Sequence, residues 1–174
     1  MLMTPSVAWW PTLAVLLVAA VIDVRTRSIP NWLSLPFLVI GMAVAAWREG
    51  VPGLEWSIEG VGLAVGVVGL LCYLRGMGMG DLKLFAAVSA WVGPRQLLVA
   101  LIATGIAGGF LAVGYALWHR SLGKSLDSTG ELLAGFGKSG FRPHATIALD
   151  NAQALKMPYA PAIAIGTIFS FFAR

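Results

Sequence analysis

The sequence predicts an all-α, polytopic integral membrane protein with about six transmembrane helices. Hydrophobic residues make up 58% of the 174-residue chain and charged residues only 11%, whereas a soluble domain carries roughly 25% charged residues. Apolar stretches recur along the whole chain. Their lengths approach the about 17–25 residues that a helix needs to cross a bilayer. A soluble fold of this size would have too few charged residues to cover its surface. The single cysteine, Cys72, also excludes an internal disulfide.

Six apolar stretches are candidates for the membrane helices. They cover residues 7–24, 29–47, 57–74, 82–92, 96–118 and 158–173. The N-terminus lacks the positively charged segment and cleavage site of a secretory signal, so we expect the first stretch to remain as a helix. The fourth stretch is too short for a full crossing. It is therefore either a partial helix or one whose ends are covered by protein, and five helices with a re-entrant segment are the alternative.

The basic residues predict the orientation of these helices. With the N-terminus outside, nine of the twelve Lys and Arg residues fall in the inner segments, and only Arg48, Arg95 and Arg174 fall in the outer ones. This asymmetry satisfies the positive-inside rule. We therefore expect a single membrane-embedded domain over residues 1–174 with a polar cytoplasmic loop at about 119–157. No basic cluster is dense enough to indicate a nucleic-acid partner.

Two acidic residues, Asp23 and Asp81, stand next to apolar runs. Asp23 closes the first run and Asp81 precedes the fourth, so the predicted orientation places both at the cytoplasmic membrane face. An ionisable group at membrane depth is costly and is a functional candidate by default. The structural alternatives are that Asp23 caps a helix or pairs with Arg25 or Arg27, and that Asp81 pairs with Lys83.

Two carboxyl groups that meet in a partly dry site share one proton, because both cannot ionise easily. Such a pair is suited to aspartic proteolysis. The ionised carboxylate takes a proton from water, and the protonated partner polarises the scissile carbonyl. The two aspartates are therefore candidates for a catalytic pair or for structural ion pairs, and the sequence leaves both readings open.

The glycines before Asp81 would allow another chain to approach closely. Gly76, Gly78 and Gly80 alternate with Met77 and Met79, and glycine at this density permits unusual backbone angles. A substrate strand or a flexible turn would each use them. The spacing fails the G-x-G-x-x-G pattern of dinucleotide sites, and an aspartate in place of the last glycine would repel a pyrophosphate.

No metal site or cofactor is expected. His119 and His144 stand alone in the polar segment, without partners at the spacing of metal ligands. Cys72 lies in an apolar run, where an inert buried thiol is the expectation.

Three motifs in one order resemble those of the type IV prepilin peptidases, a family of intramembrane-type aspartic proteases. Residues 78–84 resemble the GxGD motif, and residues 23–31, an Asp followed by a basic stretch and Ile-Pro-Asn, resemble the first catalytic segment. Residues 157–166 are similar to the sequence pattern of the family's last helix. With the hydropathy pattern, the resemblance spans nearly the whole chain.

The resemblance implies an aspartic endopeptidase that cleaves the leader of prepilin-like precursors at the cytoplasmic face of the inner membrane. Asp23 and Asp81 would be the catalytic pair, with Gly78 and Gly80 shaping the backbone at the site. Lys83 would hold the loop in register or attract an anionic part of the substrate. The expected partners are the precursor peptide, the bilayer and pilus or secretion assembly proteins.

One departure from the larger family members concerns a second activity. Those members carry an N-terminal insertion with paired cysteines and also methylate the new N-terminus, whereas this sequence has one cysteine. The resemblance therefore points to the short peptidase-only form of tight-adherence pilus systems. The alternatives are a non-catalytic membrane component, such as a small transporter or secretion-complex subunit, and an archaeal-type preflagellin peptidase.

Overall fold

Helices are the only regular secondary structure in the described part of the chain. The computed structural model describes residues 5–74, 77–118 and 159–173, without the side chains of residues 5–7 and 115–118. They form four helices: α1 (Pro5–Thr26), α2 (Asn31–Tyr73), α3 (Met79–Trp118) and α4 (Ala160–Phe172). The polar loop predicted at about 119–157, with His119 and His144, lies outside the described residues, as does Gly76.

Three of the helices are long and apolar enough to cross a membrane. These segments cover Ala8–Thr26, Asn31–Tyr73 and Met79–Gly114, and α4 is a shorter apolar helix. The predicted all-helical membrane class is thus confirmed, while the number of six crossings stays a prediction. The connections expected at residues 48–56 and 93–95 each contain a break between two helical arms, although most of their residues are helical.

Two glycines break the long helices. The backbone is non-helical at Gly50 (φ 65°, ψ −144°) in α2 and at Gly93 (φ 74°, ψ 179°) in α3. These angles lie in or near a region that is essentially restricted to glycine, and Pro52 and Pro94 follow closely. Each break separates two arms: residues 31–49 and 51–73 of α2, and residues 79–92 and 94–118 of α3.

Both arms of α2 pack against the same turns of the first arm of α3, so the chain reverses direction at Gly50. From the first arm of α2, the Phe37 carbonyl accepts a hydrogen bond of 2.9 Å from the Trp91 indole nitrogen. From the second arm, the Ser57 hydroxyl donates to the Ala90 carbonyl at 2.9 Å. These bonds satisfy polar groups inside the bundle, where no water is present to do so.

The first arm of α3 is the centre of the bundle. All residues from 84 to 93 are buried, which is the pattern of a helix surrounded on every side. Met79 to Val92 spans only about 21 Å at 1.5 Å per residue. The short fourth stretch of the sequence is thus a helical arm that protein covers from residue 84 onward, while its first turn is only partly buried.

Helices α1 and α4 lie antiparallel to each other. The Trp9 ring near the start of α1 meets the Phe171 ring near the end of α4 edge-on, with 4.6 Å between ring centroids. The last turn of α1 meets the first residue of α4 through Asp23 and Ala160. We call this second end of the bundle the aspartate end, and the opposite end, which contains Gly50 and Gly93, the break end.

Close packing of α2 against α3 predicts that two glycines of α2 differ in their tolerance of replacement by alanine. A Cβ at Gly60 would lie 2.8 Å from the Ser89 carbonyl oxygen, whereas a Cβ at Gly62 would meet nothing within 4 Å. We expect Gly60→Ala to lower the free energy of unfolding by about 1–3 kcal/mol, as overpacking does. The matched Gly62→Ala should leave it unchanged or raise it, because alanine favours a helix.

Thermal melting of the two purified variants in the same detergent measures this difference. Equal melting temperatures for Gly60→Ala and Gly62→Ala would contradict the packing of α2 against α3.

Candidate active site

Asp23 lies in the last turn of α1 and is buried, with 6% of its surface exposed. Its Oδ2 accepts a hydrogen bond of 2.9 Å from the backbone N–H of Ala160, the first residue of α4. The first N–H groups of a helix have no partner inside the helix, and the positive end of the helix dipole favours a negative charge there. The start of α4 therefore supplies the interaction that a buried carboxylate requires.

The turn after Asp23 ends α1 abruptly. Arg27 adopts a left-handed conformation (φ 52°), and its N–H donates to the Asp23 carbonyl at 2.7 Å. The Thr26 hydroxyl donates to the Ile22 carbonyl at 2.9 Å. A left-handed residue closing the last helical turn is a common helix terminus. It fixes the position of Asp23 at the end of α1.

Asp81 lies in the first turn of α3 and is half-buried. Its Oδ2 accepts a bond of 3.3 Å from the Gly78 N–H, and its own N–H donates to the Gly78 carbonyl at 3.1 Å. An acidic side chain that reaches back to the residue three positions earlier is one half of a capping box. Asp81 thus stabilises the start of its own helix.

The structure brings the two aspartates together at one end of the bundle. The negative charge of Asp23 acts on the Asp81 carboxyl, although the two residues belong to different helices. Ile29, in the segment between α1 and α2, lies against the residue before Asp81: a Cβ at Gly80 would be 3.4 Å from the Cβ of Ile29. Two carboxyl groups near each other in a partly buried site disfavour the state in which both are ionised.

The glycines before Asp81 allow neighbouring groups to approach the backbone closely. A Cβ at Gly78 would lie 3.2 Å from the Asp81 Oδ2, and Gly80 packs against Ile29. A larger side chain at either position would press on the aspartate or on the turn after α1. Neither glycine has a positive φ, so space, and not backbone conformation, explains why a small residue suits these positions.

Lys83 joins the start of α3 to the start of α2. Its Nζ donates a hydrogen bond of 2.8 Å to the Asn31 Oδ1, instead of pairing with Asp81 as the structural alternative supposed. This contact fits the expectation that Lys83 holds the register of the segment. The attraction of an anionic substrate part stays a prediction.

Three residues at this end were not assigned a role from the sequence. The Cys72 thiol donates to the Gly78 carbonyl at 3.3 Å, and Ala160 binds Asp23 through its backbone. Tyr159 lies within electrostatic range of Asp81, and its ring packs against Gly108. A backbone N–H leaves no trace in a sequence, whereas Tyr159 stands in the third motif and was identifiable as a candidate.

Fold and site together define a helical membrane protein with two interacting carboxyl groups at one end of its bundle. The model of the type IV leader peptidase family matches residues 10–113, which include Asp23 and Asp81. The chain belongs to this family. The match ends before α4, which supplies the N–H group that binds Asp23.

Several curated relatives are named prepilin leader peptidase/N-methyltransferase. That of Escherichia coli (strain K12) is 35% identical over 114 residues, which are 61% of this chain and 50% of the relative. That of Burkholderia pseudomallei (strain 1026b) is 36% identical over 112 residues, 57% of this chain and 35% of the relative. That of Aeromonas salmonicida (strain A449) is 32% identical over 139 residues, which are 67% of this chain and 43% of the relative.

The chain thus spans half or less of the length of these three relatives. No solved structure shows significant similarity to it.

Proposed function

We propose that the protein is a leader peptidase of prepilin-like precursors and cleaves by aspartic proteolysis. The observation that carries this proposal is the meeting of Asp23 and Asp81, from two helices, at one end of the bundle. Membership of the type IV leader peptidase family and the names of the curated relatives support the substrate class.

The chemistry requires one proton on the pair. The ionised carboxylate removes a proton from a water molecule, whose oxygen attacks the scissile carbonyl carbon. The protonated carboxyl donates its hydrogen to the carbonyl oxygen as negative charge develops there. Collapse of the tetrahedral intermediate breaks the C–N bond: the leaving amine takes the proton held by the first carboxyl, and one hydroxyl of the intermediate returns its proton to the second carboxyl as the C=O bond forms again.

Gly78 and Gly80 let the Asp81 carboxyl and Ile29 pack closely at the site. Backbone without side chains lets a second chain approach closely, and the bond from Cys72 to the Gly78 carbonyl holds this segment in place. Lys83, bound to Asn31, fixes the first turn of α3 relative to α2. These residues position the site and need not touch the reacting atoms.

In the membrane, we propose six crossings with the aspartate end at the cytoplasmic face of the inner membrane. The reversals at Gly50 and Gly93 divide α2 and α3 into two arms each, which with α1 and α4 makes six helical segments. Of the described basic residues, Arg25, Arg27 and Lys83 belong to the aspartate end, and Arg48 and Arg95 to the break end. The excess at the aspartate end fits a cytoplasmic location.

The first prediction tests the carboxyl pair. Asp23→Asn and Asp81→Asn keep the side-chain shape but remove the shared proton, so each should slow precursor cleavage by about 10²–10⁴-fold, the contribution of positioned acid–base groups. The double variant should be no slower than either single one, because a catalytic pair acts as a unit. Cleavage of a fluorescent leader-plus-apolar-segment peptide by purified protein measures the rates.

Glu55→Gln is the matched control, since Glu55 is an exposed acid on α2 away from the pair, and it should cleave at the wild-type rate. If correctly inserted Asp81→Asn cleaves as fast as Glu55→Gln, the aspartic mechanism is wrong. A non-catalytic membrane component would then be the better reading.

A second prediction concerns metal removal. If the carboxyl pair activates water directly, strong chelators should leave the cleavage rate unchanged. Among the described residues, no three His, Cys, Asp or Glu side chains lie together as a metal site. Loss of cleavage on chelation, with recovery on adding a divalent ion, would make the two aspartates metal ligands.

The orientation is tested by the access of a membrane-impermeant thiol reagent in intact cells. In a Cys72→Ser background, Val51→Cys should react, because Val51 is 68% exposed at the break end. Ser125→Cys, in the polar segment predicted to be cytoplasmic, should be protected until the cells are opened. The reverse pattern would place the aspartates on the outer face and overturn the proposed processing of cytoplasmic leaders.

A further inference from the structure

A large open cavity lies at the break end of the bundle, at the opposite end from the aspartates. It has a volume of about 700 Å³, and its lining residues come from the second arm of α2, the break in α3 and the end of α4. This volume is in the range of about 300–1,000 Å³ that is typical of ligand pockets. Neither the family membership nor the proposed peptidase accounts for it.

The cavity carries both signs of charge. Glu59 and Arg95 line it, and both side chains are exposed. A guanidinium group matches phosphate oxygens in a two-bond geometry, and a carboxylate accepts charge-assisted hydrogen bonds from an ammonium group. A ligand that satisfies both side chains therefore contains a phosphate and an ammonium group.

Trp56 supplies one wall of the same cavity. Its indole packs against Gly93, where a Cβ would overlap with the ring, so the break in α3 holds the tryptophan in place. Tryptophan is enriched at the depth of lipid headgroups, where its ring is partly in an apolar layer and partly in a polar one. The ring thus indicates that the cavity opens at headgroup depth.

A second cavity, of about 360 Å³, continues from the first along the second arm of α3 and α4. Its lining is apolar: Val99, Ile102, Ile106, Phe110, Ile165 and Phe169 among others. Val99 also lines the charged cavity, so the two adjoin. Val99 and Phe110 are eleven residues apart, or about 16 Å along a helix, close to the about 15 Å of one half of the bilayer core.

We propose that the two adjoining cavities form a binding site for one phospholipid with a zwitterionic headgroup. The phosphate binds Arg95, the ammonium group binds Glu59, and one acyl chain lies along the apolar groove. A primary ammonium is preferred because it has hydrogens to donate to Glu59. An anionic headgroup without a cation satisfies Arg95 alone and leaves the Glu59 carboxylate beside a like charge. The site is independent of the proposed peptidase activity.

The test is native mass spectrometry of the full-length protein in detergent, titrated with dioleoyl phosphatidylethanolamine or dioleoyl phosphatidylglycerol. We expect the ethanolamine lipid to bind about tenfold more tightly, the factor that one charge-assisted hydrogen bond supplies. Glu59→Gln should remove this preference, and Arg95→Gln should weaken the binding of both lipids.

Glu55→Gln is the matched control, because Glu55 lies one helical turn from Glu59 and does not line the cavity; it should keep the wild-type preference. Ala103→Phe fills the apolar groove and should weaken both lipids equally without changing their ratio. Melting temperatures of all variants, measured in the absence of lipid, establish that each one is folded.

Two results would overturn the proposal. Equal binding of the two lipids by the wild type would show that the charged rim does not select a headgroup. If Glu59→Gln keeps the preference for the ethanolamine lipid, as the control Glu55→Gln should, the selection occurs elsewhere on the protein surface.

Discussion

Burial of the first arm of α3 is the constraint on which the rest of the structure depends. Ten consecutive residues, 84–93, are covered on every side, so both arms of α2 and the remaining helices must surround one short helix. A membrane gives little hydrophobic driving force between helices, and close packing of small residues is what holds them together. Gly41 against Trp91 and Gly60 against Ser89 are such contacts. Gly93 ends this arm, so the covered segment stops at the break end of the bundle.

The same arm positions the candidate active site. Its first turn carries Asp81 and Lys83, so the packing that buries residues 84–93 also determines where these two side chains lie. Lys83 ties the turn to α2 through Asn31, and the Cys72 thiol ties Gly78 to the end of α2. Asp23 reaches the site from α1 and is held by the start of α4. Each of the four described helices thus contributes at least one contact to the aspartate end.

The two ends of the bundle differ in their chemistry. The aspartate end carries the buried Asp23 and the half-buried Asp81, two carboxyl groups from different helices. At the break end, Glu59 and Arg95, which carry opposite charges, line an open cavity. A site for proton transfer benefits from coupled acids, whereas a site for a zwitterion needs two opposite charges at the spacing of its ligand.

The sequence alone predicted the membrane class, the connections at residues 48–56 and 93–95, and the candidacy of Asp23 and Asp81 as site residues. These features follow from hydropathy, charge distribution and local spacing, which are properties of neighbouring residues. Only the tertiary structure decided that Ala160 binds Asp23, that Asn31 binds Lys83, and that Gly50 and Gly93 mark the breaks. The first two contacts join residues far apart in the chain, and such contacts depend on helix packing, which no local pattern encodes. Both breaks lie within the connections that hydropathy predicts, at residues 48–56 and 93–95, and the packed neighbours show at which glycine each helix turns.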